Sequence, residues 1–156
     1  MKLDNAGYLL IAEFEGLRLS PYLCSAGVPT IGYGNTFYPS GRKVTMRDKP
    51  ITQETAFWML RFVADLFAKD VDNLVTSKIN QNQFNALVSF AFNVGSDIDQ
   101  DNIPEGLGDS TLLRKVNANP NDQSIAREFM KWNKAKGKVL NGLTRRRTAE
   151  AKLYFS

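Results

Sequence analysis

The chain has 156 residues, one cysteine and no histidine. A lone cysteine excludes an internal disulfide scaffold, and the missing imidazole excludes Ser-His or Cys-His nucleophilic pairs and His-ligated zinc. Acid–base chemistry must come from the 16 carboxylates, the lysines, the five tyrosines or Cys24. The length suits one domain with a real core, and 43% hydrophobic with 23% charged residues is ordinary for a globular protein.

The net charge of +4 is unevenly spread. Residues 1–94 hold 9 Lys/Arg against 8 Asp/Glu, residues 95–126 hold 2 against 6, and residues 127–156 hold 9 against 2. The last block is therefore +7. Such a block suits either a polyanionic partner or a solvated helical face. No segment reaches the roughly 18 apolar residues of a membrane span. Met1-Lys2-Leu3-Asp4-Asn5 lacks a signal-peptide pattern, and the apolar stretch Tyr8 to Ala12 is short and followed by Glu13 and Glu15. The chain is expected to accumulate in the cytoplasm where it is made.

Residues 5–15 read as a helix, with Asn5 as N-cap, Leu9, Leu10 and Phe14 at helical spacing, and Gly16 just past the end. Residues 18–50 carry Pro21, Gly27, Pro29, Gly32, Gly34, Pro39, Gly41 and Pro50, which break helices. Short strands are predicted around Val28–Tyr33 and Lys43-Val44-Thr45. Residues 52–75 form the strongest helical pattern, through Phe57, Leu60, Val63, Phe67, Val71 and Leu74. A further helix fits 81–94, then an acidic loop over 96–109. Ser110 would cap a short helix through Val116, and helices follow over 122–132 and 143–154. The fold class is α+β: a β-rich lobe over 16–50, and a helical lobe over 76–156 together with the first helix. The long helix would join them, leaving a cleft between the lobes as the natural binding place.

The most informative stretch runs from Glu13 to Thr36. A carboxylate closing an apolar helix is partly desolvated, which suits a general acid. The β region that follows offers a hydroxyl and a thiol. On spacing alone Glu15 also fits an exposed helix-end carboxylate, Cys24 a small buried hydrophobe, and Thr30 a strand residue.

The chain resembles the phage-type lysozymes, the endolysin muramidases. Glu15-Gly16-Leu17-Arg18-Leu19, Tyr22 and Thr30-Ile31-Gly32-Tyr33-Gly34 carry the resemblance. It continues through Asn82–Gly95, Ser110–Lys115, Trp132-Asn133-Lys134-Ala135 and Asn141–Glu150, in order along nearly the whole chain. The family's catalytic pattern is Glu, eight residues, Asp or Cys, five residues, Thr; Glu15, Cys24 and Thr30 match it. The resemblance implies a lysozyme-like fold over residues 1–156. It also implies hydrolysis of the β-1,4 bond between N-acetylmuramic acid and N-acetylglucosamine in peptidoglycan, for host lysis.

Glu15 would be the acid, oriented by Arg18 or an arginine of Arg145–Arg147. Thr30 would position a water or the second catalytic group. Cys24 would act as base for a water or as covalent nucleophile, and a thiolate needs a depressed pKa for either role. Thr36, Phe92, Ser110 and Thr111 align with sugar-contacting positions; Phe92 fits the core equally well, and Ser110 a helix cap. Asn35 departs from the family, which often has His there, and the expected consequence is local stability. Trp132 fits either sugar stacking or the core.

No metal or cofactor is called for, and a monomer is expected. The family implies release from the host bacterial cytoplasm to the wall through a separate holin-made lesion. The segment Lys131 to Lys152 reads as a basic amphipathic stretch able to touch anionic outer-membrane lipid. A nucleic-acid partner is not expected, since no motif of that kind accompanies the charge.

Overall fold

The computed structural model describes residues 1–99 and 101–156. Helix α1 spans Asn5–Glu15 and is capped by Asp4, whose side chain accepts from the Gly7 N–H at 3.2 Å. The cap is one residue earlier than expected, because Asp4 also accepts from Asn85 Nδ2 (2.7 Å) and so ties the helix start to the core. Gly7 allows this approach: a Cβ there would meet Leu3 at 2.5 Å and Asn85 Oδ1 at 2.8 Å.

Strands β1 (Arg18–Leu23) and β2 (Pro29–Gly32) form an antiparallel hairpin in which Tyr22 faces Thr30. The first strand was not foreseen, because its mostly exposed side chains hide any alternation. Lys43-Val44-Thr45 is not a strand; Lys43 makes only an isolated bridge to Phe37. Ile31, Val44 and Met59 form a small apolar cluster under this region. The turns around it are polar. Asp48 accepts from the Tyr38 hydroxyl (2.7 Å), Thr45 Oγ1 (2.8 Å) and Arg42 Nη1 (3.1 Å).

Helix α2 (Gln53–Leu74), capped by Thr52, buries Ala56, Met59, Leu60, Ala64, Ala68 and Val71. Helix α3 (Gln81–Val94) begins in a capping box of Asn80 and Gln83, and residues Gln83 to Ala91 are all buried. It packs against α1, α2 and the last helix. The predicted 96–109 segment is irregular over its described residues; Gln100 lies outside them.

Helices α4 (Thr111–Ala118) and α5 (Ile125–Met130) follow, the second shorter than expected. A two-residue hairpin, β3 (Lys134–Ala135) and β4 (Lys138–Val139), turns at Lys136 and Gly137, both at positive φ. Helix α6 (Asn141–Tyr154) closes the fold and begins two residues earlier than expected. The main core joins Phe84, Leu87 and Phe90 of α3 to Leu60, Leu112, Val116, Ile125, Phe129 and Tyr154. No helix among the described residues is long and apolar enough to cross a membrane.

The hairpin corrects the basic amphipathic stretch read over 131–152. The stretch is interrupted at 134–139, and Arg146 and Arg147 are 3% and 0% exposed. The charge left outside sits on Lys134, Lys136 and Lys138 of the hairpin and on Lys131, Arg145 and Lys152.

Candidate active site

Glu15 is the last residue of α1, where the chain turns away at Gly16 (φ 64°). Its side chain is 21% exposed, and Oε1 lies 2.5 Å from Arg146 Nη1. Of the two orienting candidates, Arg146 makes the contact. Arg18 instead stacks over the Tyr22 ring, 4.5 Å from its centre.

Arg146 is held from behind. Its Nε donates to Glu150 Oε1 (3.2 Å) and its Nη2 to the Ser89 carbonyl (3.1 Å). The Ser89 hydroxyl donates to the same Glu150 oxygen at 2.7 Å. Arg147 Nη2 donates to Glu150 Oε1 (3.3 Å) and to Asn93 Oδ1 (2.8 Å), and its Nε lies 3.0 Å from the other Glu150 oxygen as an ion pair outside hydrogen-bond angles. Glu150 is fully buried. Burial pushes its carboxyl up, and the guanidiniums of Arg147 and Arg146 oppose that. Burial draws Arg147 down to about 10. This network was not read from the sequence, although Arg146, Arg147 and Glu150 stand at i, i+3 and i+4 spacing on one helix.

Glu15 borders a cleft of about 250 Å³ with Tyr33, Gly34, Asn35, Thr36, Phe37, Val63 and Phe92. The structure thus brings Glu15, Thr36 and Phe92 together. Phe92 is half-buried, with its ring 5.3 Å from that of Phe67, so it serves cleft and core at once. Gly34 (φ 84°) passes close by: a Cβ there would stand 4.0 Å from Glu15 Oε2. Tyr33, Gly34, Phe37 and Val63 are cleft residues not singled out in the sequence. Asn35 exchanges both backbone hydrogen bonds with Ile31 (2.9 Å each), while its buried Oδ1 has no partner.

Cys24 and Thr30 do not line that cleft. Cys24 opens the turn of the β1–β2 hairpin, and Thr30 lies three residues before Tyr33. Thr30 is 2% exposed and donates to the Val28 carbonyl at 2.8 Å. Hydrogen bonds from the Val28 and Ala26 backbone, and then from the Thr30 hydroxyl, hold the Cys24 thiol below its ordinary value. That direction favours a thiolate.

Ser110 and Thr111 lie elsewhere. Ser110 is 1% exposed; its hydroxyl donates to the Leu107 carbonyl (2.6 Å) and accepts from Leu113 N–H (3.0 Å). This hydroxyl caps α4. Thr111 is exposed and accepts from Arg114 at 2.8 Å. Trp132 packs edge-on against Phe90, at 5.5 Å, and lines a separate groove of about 480 Å³ with Asn93, Lys134, Leu140 and Leu143. Asp97, Asp99 and Asp109 gather oxygens within 4.8 Å of one another. Asp97 Oδ2 is already engaged by the backbone N–H groups of Glu105, Gly106 and Asp109.

The fold has counterparts among solved structures. The endolysin of Escherichia coli O157:H7 phage FAHEc1 superposes with a TM-score of 0.84 at 37% identity, covering 100% of this chain and 94% of that one. The muramidase domain of SpmX from Asticaccaulis excentricus gives 0.81 at 36% identity, covering 99% and 98%. Fold and cleft together define a lysozyme-like hydrolase. Residues 12–150 match the phage lysozyme family model, and the chain belongs to that family. The endolysin of Salmonella phage P22 is 34% identical across 100% of this chain and 99% of its own length. The endolysin of Bacillus phage B103 is 40% identical across the whole chain, which spans 55% of that relative.

Proposed function

We propose that this chain is an endolysin-type lysozyme that cleaves the β-1,4 bond between N-acetylmuramic acid and N-acetylglucosamine of bacterial peptidoglycan, lysing the host. Residues 1–156 would act as one catalytic domain, with the β-rich lobe over 16–50 and the helical lobe over 76–156 plus the first helix. Family membership and the endolysin and muramidase relatives support the activity. The observation that carries the site is Glu15, ion-paired to Arg146 at the edge of the cleft it shares with Thr36 and Phe92.

Glycoside cleavage passes through an oxocarbenium-like state. It needs a proton for the leaving oxygen and a second group at the anomeric carbon. Glu15 gives the proton, and Arg146 holds its carboxyl in register. Cys24 supplies the second group, either drawing a proton from water or attacking carbon directly. Thr30, paired with Tyr22 across the hairpin, positions the water or the second catalytic group. Thr36 and Phe92 contact the sugar from the cleft walls. Ser110 and Thr111, at the start of α4, are the further sugar-contacting positions of this proposal.

The test is solubilisation of purified peptidoglycan by wild type, Glu15→Gln and Cys24→Ser, with the anomer of the product determined. Retention assigns Cys24 as nucleophile, and inversion assigns it as base. A wild type that releases no fragments overturns the reading.

The enzyme acts as a monomer and needs no cofactor. It reaches the wall from the host cytoplasm through a holin-type lesion. Its accessory contact with anionic outer-membrane lipid rests on Lys134, Lys136 and Lys138, which α6 leaves in solvent. Loss of vesicle binding on replacing these lysines, with peptidoglycan cleavage intact, is the expected result.

A further inference from the structure

Arg146 is the only described side chain that forms an ion pair with Glu15, yet it is itself 96% shielded from solvent. A guanidinium so buried keeps one orientation only when its other donors are engaged and its charge is balanced. Glu150 does both. Its Oε1 accepts from Arg146 Nε, from Arg147 Nη2 and from the Ser89 hydroxyl, while its Oε2 lies 3.0 Å from Arg147 Nε. The buried set Glu15, Arg146, Arg147 and Glu150 is thereby neutral.

We propose that Glu150 is a positioning residue for the acid. By fixing Arg146 and cancelling the second guanidinium, it sets the field in which Glu15 holds and releases its proton. Glu150 touches no substrate and acts through Arg146. This inference rests on Glu15 being the general acid.

The ionisable groups that face Glu15 among the described residues come from two sides. Helix α6 presents Arg146, and the β region presents Tyr33 across the cleft; α2 presents Val63 and α3 presents Phe92. Glu150 faces Arg146 and Arg147 on its own helix and the Ser89 hydroxyl from α3.

The charge balance makes predictions of opposite sign. Glu150→Gln keeps the acceptor for Arg146 and Ser89 but leaves two guanidiniums opposite one carboxylate. The surplus positive charge favours the ionised acid. The alkaline limb of the pH–activity profile therefore moves to lower pH, by about one pH unit. Arg147→Met removes one guanidinium and leaves two carboxylates opposite Arg146 alone, a surplus of negative charge that favours the protonated acid. The limb then moves to higher pH. The double variant Arg147→Met/Glu150→Gln restores neutrality, and the limb returns to its wild-type position.

The experiment measures peptidoglycan solubilisation from pH 4 to pH 10 (a range spanning about the ordinary carboxylate to amine values), with thermal unfolding run in parallel. A purely structural Glu150 lowers the melting temperature and leaves the limb in place, which overturns the proposal. So does a displacement of the same sign in both single variants. If Glu150→Gln does not fold, Arg147→Met decides alone by the direction of its shift. A Glu15→Gln variant that retains activity instead defeats the underlying assignment of the acid, a result distinct from an unmoved limb in an otherwise active series.

Discussion

The β region and the helical region of this molecule are built on different physics. The helical region is an apolar core around α3, with nine consecutive buried residues from Gln83 to Ala91. The β region has a cluster of only Ile31, Val44 and Met59, and leans on polar turns knotted at Asp48. The difference divides the labour of the site. The well-packed region grips Glu15 through Arg146, and the lightly packed one carries Cys24 and Thr30 on a hairpin. On the proposed assignment, the acid is pre-organised by rigid elements and the second group sits where the backbone tolerates change.

The sharpest way to break this comparison is at the acid. Glu15→Gln should reduce peptidoglycan solubilisation by about 10⁴-fold with little change in melting temperature. Retained activity would move the chemistry away from the helical side. Next come the two cores. Leu87→Ala in α3 should cost about 4 kcal/mol, and Ile31→Ala under the hairpin about 2 kcal/mol, in denaturant unfolding. Equal losses would show that the two regions are packed alike.

At the hairpin, Cys24→Ala should reduce turnover by about 10²-fold. Cys24→Asp should keep activity and carry the acid limb of the pH profile downward, since an ordinary Asp titrates about four units below an ordinary thiol. A dead Cys24→Asp would mean that the thiol itself is required.

The smallest effect concerns Asp48. The Tyr38 hydroxyl, the Thr45 backbone and side chain and Arg42 hold its carboxyl below the usual carboxylate range. Its folded value is depressed, so the stability it confers is present in full above the unfolded value of about 3.9 and drains away as the pH falls below it. Asp48→Asn should therefore melt earlier than wild type at neutral pH, and the two curves should converge on acidification.

The long helices were legible because burial imposes a period. The predicted bounds of α3 match the structure, and α2 departs by one residue at each end. Strand β1 was not legible, since its side chains are largely solvated on both faces. The β3–β4 hairpin is only two residues per strand, too short for any pattern beyond the Lys136-Gly137 turn. In the site, Glu15 was legible from its place at a helix end in an ordered set of motifs. The choice among Arg145, Arg146 and Arg147 was not. Adjacent helical residues point about 100° apart, and the packing of α6 against α3 turns Arg146 and Arg147 inward, of which Arg146 meets Glu15. Charge counted along the sequence was also misleading, because two of the arginines in the basic block are spent inside the protein.

The envelopment of α3 has a consequence in time. Hydrogen exchange at an amide waits for an opening that exposes it, and the openings of a central helix with no exposed face approach global unfolding. The amides of Gln83 to Ala91 should be the last to exchange in this molecule, and the hairpin around Cys24 among the early ones. The Ser89 carbonyl that holds Arg146 belongs to the slow set. The anchor of Arg146, and through it of Glu15, thus persists through the many smaller fluctuations of the molecule.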